Sequence, residues 1–170
     1  MQINKDIKIE NANKTIGDIT DNIEYLNTQQ NFIFSIIPAQ TIYGGTTKLS
    51  LSSPLTNSSL FTINNNRVVF QRDGIVEISI HFGGQLGYHT TSNTDLGVSI
   101  YKNGTRIMSH SAYAPSVGDY YYLHTDLSNY CISIKVGDYL EFYSGAPEGT
   151  SWGIHNDEYG HSYIFIKYLT

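Results

Sequence analysis

Short runs in which apolar and polar residues alternate one by one constrain the fold of this chain more than any other feature. The alternation is strict in 78–82 and again in 130–136. A period of two buries one face of each run and exposes the other, as in antiparallel sheets. Runs of strand character lie at 47–51, 67–70, 75–82, 96–101, 106–110, 121–134, 139–143 and 162–168. No helical pattern separates them, which excludes a parallel βαβ fold, so about eight or more short strands predict a sandwich or barrel.

Composition agrees with an all-β chain and narrows its partners. Tyrosine occurs 14 times in 170 residues, and charged residues make up only 15%. The formal net charge is −5 and no segment clusters three basic residues, so the chain lacks the cations that phosphate-backbone binding needs. Nucleic acid is therefore not an expected partner. Aromatic residues predicted to pack in the core or at a trimer axis are Phe70, Phe82, Phe142, Tyr143, Phe165 and Tyr168.

Residues 1–34 carry a different pattern. Apolar residues recur there at spacings of three and four: Ile9, Ala12, Ile16, Ile19, Ile23 and Leu26, with Ile33 extending the series. This is the a/d seam of a heptad, and isoleucine at both positions favours three or more strands over two. We therefore predict a short helical stalk over 1–34 that forms trimers, followed by a head domain over 35–170. An amphipathic helix packed on its own domain is the alternative interpretation of the same seam.

The same sequence bounds the compartment and the cysteine chemistry. No apolar run approaches the roughly 20 residues that span a membrane, and the N-terminus shows no apolar signal-peptide region. We expect a protein made in a host cytoplasm, without membrane insertion.

The single cysteine, Cys131, excludes an intramolecular disulfide. Its place between Tyr130 and Ile132 in a strand-like run predicts a buried structural thiol.

Connection lengths predict that the two ends of the head differ. Short turns are indicated at 102–105, which holds the dipeptide Asn103-Gly104, and at 135–138. The connections 83–94, 112–120 and 144–161 are long. If consecutive strands run up and down, both short turns lie at one end, which we call the tight-turn end. The three long connections then share the opposite, long-loop end, and the C-terminal strand finishes at the tight-turn end.

Four motifs resemble, in order, those of the complement/tumour-necrosis-factor jelly-roll superfamily. They are Phe61–Ile80, with an aromatic, a short strand and a glycine before an alternating strand; Ser99–Thr105, which ends in Asn-Gly; Val136–Phe142, which opens with Gly-Asp; and the closing strand Tyr163–Leu169. Together they span residues 41–169. The resemblance implies a jelly roll of about ten strands, a tight trimer, and both chain ends at the base. Ile75-Val76 stand where many members carry an aromatic residue, which leaves the subfamily open.

A member of this superfamily without a visible signal peptide, and with a short N-terminal helix, looks like a bacteriophage receptor-binding protein from a fibre tip or baseplate. The Asn- and Thr-rich segment 9–19 is similar to attachment segments of tail proteins from phages of Gram-positive bacteria. The resemblance implies a place in the virion, with the N-terminal segment joined to other virion proteins. Spore-surface trimers share the fold, but the collagen-like repeats that they usually carry do not occur here.

The three long connections concentrate side chains that suit saccharide recognition. Sugars present apolar C–H faces and hydroxyl edges, so a site needs an aromatic platform beside polar hydrogen-bonding groups. The candidate ligand-binding residues are Tyr88, His89, Tyr113, Trp152, His155, Asn156, Asp157 and Tyr159. Trp152 is the predicted centre, as an exposed loop-tip platform next to His155. Packing of these rings against one another within the loops is the alternative for each of them.

The sequence does not point to catalysis. A Gly-x-Ser-x-Gly elbow and a phosphate-binding glycine loop are both missing. Glu148, Asp157 and Glu158 are the clustered carboxylates, and nothing fixes the separation that a glycosidase requires. Asp157 and Glu158 suit calcium by residue type, but no metal site and no cofactor are predicted.

The function predicted from these features is host attachment. The chain would be a virion homotrimer that recognises a bacterial cell-surface glycan at the long-loop end. Two alternatives fit the same sequence: a purely structural decoration or fibre cap of a virion, and a bacterial surface trimer of TNF-like fold.

Overall fold

The computed structural model describes residues 32–54, 58–86, 94–114, 121–154, 156–157 and 160–169. Within these ranges all regular secondary structure is β, and every strand pairing is antiparallel. The strands are β1 (Phe32–Ile36), β2 (Gln40–Lys48), β3 (Phe61–Asn64), β4 (Arg67–Phe70), β5 (Gly74–Leu86), β6 (Thr94–Lys102), β7 (Thr105–Ala114), β8 (Tyr121–Ile134), β9 (Tyr139–Ile154), β10 (Asn156–Asp157), β11 (Gly160–His161) and β12 (Tyr163–Tyr168). The described residues contain no helix with the length and apolar character to cross a membrane.

Ten of these strands form one continuous sheet that folds into two layers, while β10 and β11 form a separate ribbon. Sheet I has the order β1-β12-β5-β8. In sheet II, β9 has β2 and the β3-β4 hairpin on one side and the β6-β7 hairpin on the other. The layers join where 84–86 of β5 pair with 152–154 of β9. We call the face of each sheet that points away from the core its outer face.

Alternation along the strands puts the apolar side chains between the two sheets. Phe70, Phe82, Phe142 and Tyr168 are fully or almost fully buried there, as the sequence predicts. Near one end of the core the rings of Phe61, Phe70 and Tyr168 pack at centroid distances of 5.1–6.2 Å. Burying one such ring stabilises the fold by roughly 1.5–3 kcal/mol. Tyr143 and Phe165 were predicted with this group but occupy outward positions, because their strand neighbours Phe142 and Ile166 point inward.

The tight-turn end is confirmed by direct contacts between the two predicted turns. Asn103 adopts a φ of 51° and Gly104 a φ of 80°, so the Asn-Gly dipeptide fits the left-handed turn. Asn103 Nδ2 donates to Asp138 Oδ1 at 2.7 Å, and Tyr139 N donates to Asn103 Oδ1 at 2.9 Å. Lys102 Nζ lies 2.9 Å from Asp138 Oδ2. The two turns therefore form one hydrogen-bonded unit.

Both termini of the described head lie at this end. Strand β12 finishes opposite the start of β5, where Leu169 N donates to Ile75 O at 2.9 Å. Phe32, the first described residue, pairs with Lys167. The predicted end for the C-terminal strand is therefore confirmed. The proximity of the head's two ends also agrees with the fold that the four motifs imply.

The boundary between stalk and head needs correction. Ile33 was predicted to extend the helical seam, but it lies in β1 and is 2% exposed in the core. Its strand pairs with β12, so the head begins no later than Phe32 rather than at residue 35. The predicted stalk itself falls on residues 1–31, which lie outside the described residues, and it stays a prediction.

Cys131 is a second correction. Its thiol is exposed, not buried, and lies 3.7 Å from Asn129 O. In the pairing of β5 with β8, Cys131 stands opposite Glu77 and projects from the outer face of sheet I. The apolar neighbours Tyr130 and Ile132 point toward the core, so strand alternation turns the residue between them outward.

Asp138 makes the stability of the tight-turn end depend on pH. Burial acts to raise the pKa of Asp138, but hydrogen bonds from Asn103, Lys102 and Lys135 N outweigh it and lower the pKa from 3.8 to about 2. A carboxyl whose pKa falls on folding stabilises the fold above its unfolded pKa, and this stabilisation is lost as the pH falls through the folded pKa.

We therefore expect Asp138→Asn to lower the free energy of unfolding by about 1–2 kcal/mol at pH 7, after allowance for solvent screening, and by much less near pH 2. Urea unfolding at a series of pH values between 7 and 2, at constant ionic strength, measures the difference. Arg106→Gln, which removes an exposed charge near the same end but away from the outer face of sheet I, is the control. An equal loss for Asp138→Asn at both ends of the pH range would contradict the assignment.

Candidate functional site

The structure describes only part of the predicted saccharide site. Tyr88, His89, His155 and Tyr159 lie outside the described residues. The backbone of Asn156 and Asp157 forms β10, opposite His161 and Gly160. Tyr113 lies near the end of β7 and is 57% exposed, as a binding side chain must be. Trp152 does not have the predicted exposure.

The prediction of Trp152 as an exposed loop-tip platform is wrong. The segment 144–154 continues β9 instead of forming a loop, and Trp152 pairs with Ile42 of β2 and with Leu86 of β5. Strands on both sides fix its orientation, and the side chain is 0% exposed in the core. Its indole Nε1 is fully buried and has no hydrogen-bond acceptor among the described residues. A buried indole is a packing residue and cannot serve as a sugar platform.

Tyr43 is an exposed aromatic residue that the sequence analysis missed. It is 68% exposed, and strand alternation beside the buried Ile42 turns it to the outer face of sheet II. Tyr113 projects from the same face, since its neighbour Ala112 pairs with the buried Leu96. The predicted strand at 47–51 covered only the last two residues of β2. Gly44-Gly45 interrupt the sequence pattern, and the pairing with β9 shifts register there. The signal that could have found it is Thr41-Ile42-Tyr43, three consecutive residues of high strand propensity.

The outer face of sheet I carries a row of stacked rings, one from each of its four strands. Phe34 packs on Tyr163 with centroids 5.0 Å apart, Tyr163 on His81 at 5.4 Å, and His81 on His124 at 5.3 Å. The interplanar angles are 33°, 26° and 17° in the same order. Phe32 and Phe165 form a further pair at 5.4 Å. This face is therefore rich in rings although it points away from the core.

A glycine shapes this row. A Cβ at Gly83 would lie 2.5 Å from His124 Nδ1, so only glycine lets the imidazole lean across the strand toward His81. His81 Nδ1 in turn forms a 2.5 Å hydrogen bond with Asp126 Oδ1. The Gly83 backbone is held by Ser162, the residue before β12: Ser162 Oγ accepts from Gly83 N at 3.0 Å and donates to Gly83 O at 3.2 Å. The sheet backbone at Gly83 therefore determines where the His124 ring lies.

The outer face of sheet II carries a charged group that we call the Glu141 cluster, comprising Lys48, Arg67, Glu141 and Tyr143. Lys48 Nζ and Arg67 Nε each lie 2.8 Å from Glu141 Oε1. Glu141 is only 4% exposed although it points outward, because these side chains cover it. The Tyr143 hydroxyl lies 3.4 Å from Glu141 Oε2. The contacts join β2, β4 and β9.

The electrostatics of the cluster keep its carboxylate ionised. Burial acts to raise the pKa of Glu141, but the hydrogen bonds and charges of Lys48 and Arg67 outweigh it and hold the pKa below its usual value. The hydrogen bond to Glu141 in turn raises the pKa of Arg67. Burial, followed by the charge of Glu141, raises the pKa of Tyr143. Near neutral pH the Glu141 carboxylate is therefore ionised, the Arg67 guanidinium is charged and the Tyr143 phenol is neutral.

Comparison with known proteins identifies the fold. A crystal structure of murine APRIL, a TNF-family protein, covers 80% of this chain and 97% of its own, with a TM-score of 0.53 and 12% sequence identity. The fold is a TNF-like jelly roll. The jelly-roll fold that the four motifs imply is thereby confirmed. No protein-family model and no curated protein matches the sequence.

The TNF-like jelly roll holds no metal cluster in its described part: no three His, Cys, Asp or Glu side chains there are grouped to share an ion. In the described residues, the two outer faces carry different kinds of side chains. Stacked rings occupy the outer face of sheet I, while the outer face of sheet II combines the Glu141 cluster with Tyr43 and Tyr113.

Burial of Trp152 reverses the effect expected of its removal. We expect Trp152→Ala to lower the free energy of unfolding by about 3–5 kcal/mol, because it leaves a large cavity in the core. The matched control is Tyr113→Ala, an exposed aromatic truncation that should change stability by no more than about 0.5 kcal/mol. Thermal and urea unfolding compare the two. A Trp152→Ala protein as stable as the Tyr113→Ala protein would return Trp152 to the surface.

Proposed function

We propose that this chain is a homotrimeric, non-enzymatic binding module that attaches a virion to its host by recognising a bacterial cell-surface glycan. The observation that carries the assembly part is the row of rings on the outer face of sheet I. A sheet face that stays in water is normally polar, and a contiguous aromatic surface is typical of an interface.

The residues of this face suit contact between copies of the chain. The rings of Tyr163, His81 and His124 are stacked before any partner arrives, so little side-chain freedom is lost when the face is covered. Imidazole and phenol groups add polar edges that pair across an interface. The number three is supported by the TNF-like fold and by the isoleucine seam of the N-terminal segment.

The binding part of the proposal rests on the exposed tyrosines near the long-loop end. Tyr113 and Tyr43 lie on one outer face at 57% and 68% exposure, and a phenol ring offers both a platform and a hydroxyl to a sugar. Tyr88, His89, His155, Asn156, Asp157 and Tyr159 remain predicted ligand-binding residues. Placement in the virion rests on the resemblance of segment 9–19 to tail attachment segments, and so does contact with other virion proteins through that segment.

One observation favours a second candidate, a purely structural decoration or fibre cap. Burial of Trp152 removes the largest aromatic platform from the predicted glycan site. A structural trimer would keep the row of rings on sheet I and would have no need of a ligand. Binding to cells separates the two candidates.

The assembly part predicts a trimer that one charge can dissociate. Phe165→Arg places a cation among the outer rings of sheet I, where burial of an unpaired charge costs several kcal/mol, and should yield a folded monomer. Light scattering measures the mass, and circular dichroism checks the fold. Ser111→Arg, at an exposed position of β7, is the control and should remain trimeric. A wild-type mass near 19.1 kDa at micromolar concentration would refute the proposal.

The attachment part predicts binding to cells that depends on polysaccharide. A fluorescently tagged trimer should bind to cells of a susceptible strain. This binding should be lost when the wall polysaccharide is stripped from the cells. Tyr113→Ala should weaken binding by about 1–3 kcal/mol per site. Lys135→Ala is the control, since Lys135 lies exposed at the tight-turn end. Binding that is indifferent to stripping on every strain would favour the structural candidate.

A further inference from the structure

The Glu141 cluster contains more positive charge than is needed to join its strands by ion pairs. Two cations, Lys48 and Arg67, share the single carboxylate of Glu141, which leaves one positive charge in excess. The chain as a whole carries a formal charge of −5. A local positive excess on an acidic protein attracts anions to that place and not to the rest of the surface.

Arg67 has donors left over in an orientation fixed beforehand. Its Nε donates to Glu141, and its guanidinium carbon lies 4.3 Å from the centroid of the Tyr139 ring. The side chain is 43% exposed, and the hydrogen bond that the described residues show for it is made by Nε. A guanidinium presents a planar fork that fits a carboxylate or phosphate with two hydrogen bonds. Because Glu141 and Tyr139 already hold it, a ligand would order little more.

The strip beside the cluster has the chemistry of a sugar site. The rings of Tyr101 and Tyr143 lie 4.6 Å apart, and the register places Ser99 opposite Tyr143. Phenol rings pack against the C–H face of a sugar while serine and tyrosine hydroxyls bond to its edges. The next outward pair along these strands is Gly97 with Gly145, which adds no side chain that would obstruct a flat ligand.

The site also stays accessible if the chain assembles as proposed. The outer face of sheet II points away from the outer face of sheet I, since the core lies between the two sheets. We infer that the Glu141 cluster, with Tyr101 beside it, binds an anionic group of a saccharide or polyol, whether a carboxylate or a phosphate. Arg67 and Lys48 hold the anion, and the tyrosines hold the carbon framework. This site is separate from the long-loop end, and its existence does not depend on the trimer.

The direct test follows the Arg67 side chain of the full-length protein by NMR. Its Nε–Hε signal, hydrogen-bonded to Glu141, is the reporter during titration at constant ionic strength with inorganic phosphate, sodium glucuronate and glucose. We expect a saturable shift with at least one anion and none with glucose. Response to phosphate alone points to a phosphate-bearing polymer, and response to glucuronate alone to an acidic sugar. No saturable shift with either anion, or an equal shift with glucose, overturns the inference.

Variants separate a specific site from general attraction of charge. Arg67→Lys keeps the positive charge but loses the planar fork of the guanidinium. It should lower the affinity for the anion that binds by about tenfold. Lys135→Gln removes a cation at the tight-turn end and should change affinity by less than about twofold. Equal losses in the two variants would overturn the inference. Phe165→Arg should keep the wild-type affinity per chain, so failure of the trimer proposal leaves this result readable.

Discussion

The pairing of β9 with four other strands is the constraint on which the rest of the structure depends. It joins β2 and β4 on one side to β6 and, beyond the end of β6, to β5 on the other. Because neighbours on both sides fix its orientation, alternation along β9 divides its side chains without exception among the described positions. Leu140, Phe142 and Trp152 enter the core, while Glu141 and Tyr143 face outward. One strand therefore supplies both the centre of the packing and the centre of the charged cluster.

The two outer faces solve different physical problems. On sheet I the rings stack across all four strands, and Gly83 gives the space that His124 needs to join them. Exposure of such a face to water raises the free energy and covering it lowers the free energy, which is why we propose this face as the assembly surface. On sheet II a carboxylate sits under two cations, and its burial is tolerable only because both are paired with it. A charged and hydroxyl-rich face of this kind is suited to remain in water and to exchange it for a polar ligand.

Sequence reasoning predicted those features that are set locally. Strict alternation located most strands, and Asn103-Gly104 located a turn whose backbone the dipeptide favours. The predictions were wrong where the neighbouring strands determine whether a segment is a strand or a side chain is buried. The glycine- and serine-rich segment around Trp152 has weak strand propensity, so it was taken for a loop, and only flanking strands β2 and β5 make it a strand. Cys131 was misjudged because its burial was inferred from apolar neighbours, although alternation places a residue between two buried ones outside. The Glu141 cluster draws on three strands, and no spacing in the sequence brings them together.

In the proposed trimer, the geometry of the sandwich would let several weak binding sites act together on one polymer. Assembly through one outer face turns the opposite outer face of every copy toward solvent, so a trimer would carry three Glu141 clusters around its side. A polymer whose anionic groups recur along its length can engage a second cluster at the effective concentration that its own linkage sets. Modest affinity at each guanidinium then becomes firm retention on a surface, and release of one group does not free the whole polymer. Such an arrangement favours a flat, open and rigid face over a deep pocket, because neighbouring residues of a long chain must pass across it without obstruction. The paired glycines beside Tyr143 meet that requirement.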